Sequence, residues 1–108
     1  MYMNWIELER MADQIRDVRD HHFAEIPVWI MAILMRNLKI IEQEIRVLTE
    51  TKNFLDKCGL SEEAYSSAVS DLMNSPVEVH LRKFSLDDFR DRPVEVSVFE
   101  LIDDLLKE

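Results

Sequence analysis

The sequence predicts a mainly α fold: an antiparallel helical hairpin with one long helix, a short third helix, a small two-stranded β element and a C-terminal helix. Three observations carry this expectation. Apolar residues recur at helical spacing through most of 5–55. A single glycine and three prolines supply too few turns for a sandwich or a barrel. A hydrophobic content of 47% sustains a core despite 32% charged residues. At 108 residues the chain is expected to form one domain, with 1–59 as the hairpin and 60–108 as an acidic α/β tail region packing on it or on a partner chain.

The first helix is predicted over 5–22, where Leu8, Met11, Ile15 and Val18 step by three, four and three, and Trp5 and Ala12 widen the stripe. Arg16 and Asp20 stand at i,i+4 spacing for an ion pair. The helix is expected to stop at the paired histidines of the stretch "DHHFAEIPVWIMAILMRNLK". Pro27 lacks the N–H that a helix interior needs but suits a first turn, so it marks the start of the second helix.

In that second helix Met31, Leu34, Leu38, Ile41, Ile45, Leu48 and Leu55 follow a 3/4 alternation that only Lys52 interrupts, and Ile33, Ile40, Val47 and Phe54 form a further row at seven-residue spacing. Gly59, the one glycine, stands where a left-handed C-terminal cap is wanted. The second helix would then measure about 46 Å against about 27 Å for the first. Its tail half therefore needs cover from elsewhere.

Ser61 followed by Glu62 and Glu63 opens a short third helix, with Ala64, Ala68, Val69, Leu72 and Met73 inward and Pro76 as its stop. Over 77–84 the apolar residues alternate with Glu78, His80 and Arg82, the period of a half-buried strand. Residues 85–92 are expected to form a turn or a single helical turn capped by Ser85, followed by a second short strand at 93–96. Ser97 and Glu100 then form a capping box that opens a last helix, with Phe99, Ile102, Leu105 and Leu106 inward.

The net charge of −9 is uneven: 1–60 carries 8 Lys/Arg against 10 Asp/Glu, or −2, and 61–108 carries 5 against 12, or −7. That sign opposes direct binding of nucleic acid and favours a basic protein partner, for which Asp87, Asp88, Asp91, Asp103 and Asp104 are the partner-facing candidates. Cys58 is alone, so no internal disulfide is possible and a reducing compartment is expected. The first twenty residues lack the basic start and apolar block of an export signal, which makes the cytoplasm the expected location.

Two passages resemble a family of small tailed-phage and prophage proteins. One is "IPVWIMAILMRNLKIIEQEI", with its leading proline, its Arg-Asn-Leu-Lys step and its Glu-rich continuation. The other is "VEVHLRKFSLDDF" followed by "VSVFELIDDLLKE", similar to that family's strand, Ser-Leu-Asp-Asp turn and capped terminal helix. Family members often carry a longer charged segment where this chain places its short third helix. The resemblance implies a phage-encoded accessory or assembly protein and transfers no catalytic residue.

Chemistry has little to stand on. Asp17, His21, His22 and Glu25 invite a metal site, but a helical site needs ligands converging from two elements and the sequence has no Glu-x-x-His pair. Cys58 beside Lys57 sits on an apolar row, and the acid pairs Asp87/Asp88 and Asp103/Asp104 are adjacent rather than opposed. With no glycine-rich loop either, neither an enzyme nor a cofactor or metal is expected. The apolar run 26–35 is too short for a membrane span, which needs about 20 residues.

That run points to association. Self-association is expected through Trp29, Met31, Met35, Leu38, Ile41, Ile45, Leu48 and Leu55, giving a homo-oligomer. The alternative reading is an acidic inhibitor that mimics nucleic acid in the basic cleft of a host defence or transcription protein.

Overall fold

In the computed structural model of the chain, which describes residues 1–82, the apolar periodicities become three α-helices and a two-stranded antiparallel sheet. Strand β1 is Tyr2–Met3, α1 is Trp5–His22, a 3-10 turn covers Phe23–Glu25, α2 is Val28–Lys57, α3 is Glu62–Asn74 and β2 is Val77–Glu78. The expected strand at 93–96, the terminal helix and the remainder of the tail lie outside the described residues. No helix among the described residues is long and apolar enough to cross a membrane.

Each boundary has a local cause. Asn4 caps α1: its side chain accepts from the Glu7 N–H at 2.9 Å, and the Glu7 carboxylate accepts from the Asn4 N–H at 3.3 Å. Pro27 stands at the N-cap of α2, one position earlier than a first-turn proline, because its carbonyl is free to accept from both Ile30 and Met31. Gly59 adopts φ 68°, the left-handed conformation that ends α2 without a Cβ clash. Ser61 caps α3 through its hydroxyl, which accepts from the Ala64 N–H.

The core lies where α1 and α2 pack together. Leu8, Ala12, Ile15 and Val18 of α1 and Ile30, Leu34 and Ile41 of α2 are fully buried, each removing apolar surface worth roughly 1.5–3 kcal/mol for the larger side chains. Arg16 departs from the expected pairing with Asp20. It bonds Asp13 at 3.1 Å and reaches across to Glu42 at 3.6 Å, while Asp20 is held by Arg19 at 2.9 Å. The interhelical partner wins because Arg16 borders the α1–α2 seam, where its stem is half-buried.

α3 packs on both α1 and α2. Of the strand expected over 77–84, the described residues 77–82 are regular at Val77–Glu78, whose partner is the N-terminal segment Tyr2–Met3, in the register Tyr2 with Glu78 and Met3 with Val77. The Val79 N–H extends this ladder to the Met1 carbonyl at 2.8 Å, and the Val79 side chain is buried in the core. The β element thus closes the first residues of the chain onto the segment after α3.

Candidate functional site

The titratable residues around the turn between α1 and α2 separate into isolated pairs. His21 Nε2 lies 3.5 Å from Asp17 Oδ1, and His22 Nδ1 lies 2.9 Å from Glu25 Oε2. His80 is exposed, 3.8 Å from Glu78. Among the described residues no three His, Cys, Asp or Glu side chains gather where a metal ion could sit. Cys58 is the exposed C-cap of α2, its N–H donating to the Leu55 carbonyl.

The apolar residues expected to associate divide sharply. Met31, Leu38, Ile41 and Leu48 are buried in the chain's own core, so they have no surface left to offer a second copy. Met35, Ile45 and Leu55 are partly buried, the first two against that core, and Trp29 is 36% exposed. Leu48 is the last buried residue of α2. Past it, the outward row at seven-residue spacing loses its cover in order: Ile33 is buried, Ile40 partly buried, Val47 47% exposed and Phe54 68% exposed. The outer end of this row, Val47 and Phe54, and not the inner seam, is one apolar surface that the described residues leave to solvent.

A second apolar surface lies at the corner between α1 and α2. Phe23, Val28, Ala32 and Met35 line a groove of about 220 Å³ whose floor is Ile26 and Met31. Phe23 and Val28 are 63% and 82% exposed. Pro27 sets this geometry: by ending the turn after α1 and starting α2 at once, it leaves Phe23 and Val28 outside the core while Ile26 between them is buried in it.

Two polar clusters hold these surfaces in place. Asn37, fully buried on α2, uses both ends of its amide: Nδ2 donates to the Arg82 carbonyl at 2.9 Å, and Oδ1 accepts from the Arg82 N–H at 3.0 Å. It serves the segment after β2 as a neighbouring strand would. At the far end of α2, the Tyr65 hydroxyl donates to the Asp56 carboxylate, and Lys52 Nζ lies 3.6 Å from the other Asp56 oxygen. The Tyr65 hydrogen bond, reinforced by the Lys52 charge, holds the Asp56 carboxyl below the usual carboxylate range. The same tyrosine and then the Asp56 charge raise the Lys52 ammonium. Lys52 is the residue that interrupts the α2 seam, and there it pairs within α2 with the same Asp56 that accepts from Tyr65 of α3.

Asn37 and Tyr65 had no assigned role in the sequence. Asn37 is legible as a polar residue inside an apolar stripe, within the Arg-Asn-Leu-Lys step; Tyr65 carries no local signal. Asp87, Asp88, Asp91, Asp103 and Asp104 lie outside the described residues. Comparison with protein-family models, curated proteins and solved structures returned no match.

Proposed function

We propose that this chain is a non-enzymatic, phage-type accessory or assembly protein that works as a self-associating interaction module. The hairpin formed by α1 and α2 is the scaffold, and the acidic residues Asp87, Asp88 and Asp91 face a basic protein partner. One observation carries the association: the heptad-spaced row of α2 becomes more exposed toward Phe54, at 68%. A strict seven-residue repeat matches another helix bearing the same repeat when the two supercoil gently around each other, so a second copy of this chain is the natural occupant.

Sedimentation equilibrium at micromolar concentration should show a dimer or larger species. Phe54→Glu should shift it to monomer with the helical circular dichroism unchanged, since Phe54 contributes little to the chain's own core. A wild-type chain that stays strictly monomeric overturns the reading.

A further inference from the structure

We infer that the acidic segment 97–108 docks, within its own chain, on the groove formed by Phe23, Val28, Ala32 and Met35. This goes beyond self-association and uses a different face of α2. The groove is the most apolar concavity of the hairpin corner, with Ile26 and Met31 as its floor.

Charge selects the occupant. Val28, Ala32, Met35 and Lys39 step by four, three and four along one outward stripe, and Arg36 follows Ala32 by one turn. Arg36 and Lys39 are exposed and have no ion pair among the described residues, and between Val28 and Ile41 there is no acidic residue. The surface is therefore an apolar trough ending in two cations. Segment 97–108 is its complement: Phe99, Ile102, Leu105 and Leu106 share one face at helical spacing, Asp103 borders that face, and four acids against Lys107 leave a balance of −3.

The tether favours the same chain over a second copy. The described chain leaves from Arg82, whose backbone is clamped to Asn37. Along α2, Asn37 is about 8 Å from Ala32. Residues 83–96 span at most about 46 Å when extended, several times the distance required. A linker of this length confers an effective concentration on the order of millimolar, above the concentration of other copies in dilute solution.

The test uses the full-length chain carrying Cys58→Ser, Ala32→Cys and Ile102→Cys, oxidised at low micromolar concentration and read by non-reducing electrophoresis and intact mass. We expect an intramolecular disulfide, formed about tenfold faster than in a control with Glu50→Cys in place of Ala32→Cys. Lys39→Glu should slow trapping by roughly fivefold, and adding Asp103→Lys should restore it, a rescue that damage to the fold would not give. Trapping no faster than the control overturns the inference, and so does a disulfide-linked dimer as the main product. Because the Phe54 row is untouched, either result leaves the oligomerisation experiment to stand by itself.

Discussion

Asn37 shows how one residue can decide where a segment lies. A buried amide is costly unless both its donor and acceptor are used, and here both are used by the backbone of Arg82, 45 positions away. Asn37→Ala should therefore destabilise the protein by about 2 kcal/mol in urea unfolding and increase hydrogen exchange at the Arg82 amide, while leaving α1 and α2 helical. Asp56 makes a pH-dependent contribution. Its carboxyl is lowered by the Tyr65 hydrogen bond and the Lys52 charge, so the stabilisation is fully present above the ordinary carboxylate range and is lost as pH falls through the depressed value. The raised Lys52 ammonium contributes below its ordinary range and is lost only as pH rises beyond it. Protection of the α3 amides, taken relative to the intrinsic exchange rate at each pH, should accordingly fall in acid for the wild type, and Tyr65→Phe should show much less of this dependence. Equal acid dependence in both proteins would count against a stabilising role for the Tyr65–Asp56 contact.

At the scale of elements, α2 does two jobs with two stripes. The inner seam ends as buried structure at Leu48, while the outward row continues to Phe54 beyond the cover of its neighbours. Lys52 stands between the two regimes: an aliphatic residue there would have extended the seam, whereas lysine takes the Asp56 contact beside α3. The helix ends follow short-range chemistry. Asn4 with Glu7, Pro27, Gly59 and Ser61 each satisfy, or leave unneeded, backbone groups that a helix end exposes. Such signals act within a few residues, which is why the bounds of α1 and the turn between α2 and α3 were legible from composition and spacing alone.

At the scale of the molecule, the two-stranded element ties the start of the chain to the segment after α3. Two pairs of residues cannot hold a sheet by themselves. Burial does so instead: Met3 is 5% and Val79 2% exposed, both in the common core. Met3→Asp should cost roughly 2–4 kcal/mol in denaturant unfolding and release both strands together, since it places a carboxylate in that core. The alternation at 77–84 announced a strand but named no neighbour for it. A strand's period identifies the face it buries and says nothing of which edge it meets. Tyr2–Met3 is too short to show any period at all.

Local chemistry in the sequence therefore determined the helical class, the lengths of α1, α2 and α3, the corner at Pro27 and the stop at Gly59, because propensity, capping and hydrophobic spacing operate over a few residues. Only the tertiary structure decided which of the expected association residues are already occupied. Met31, Leu38, Ile41 and Leu48 look like Val47 and Phe54 on a helical wheel, as apolar positions awaiting cover. Which of them α1 and its neighbours reach depends on how the elements are placed, and that placement depends on contacts between residues far apart in the chain.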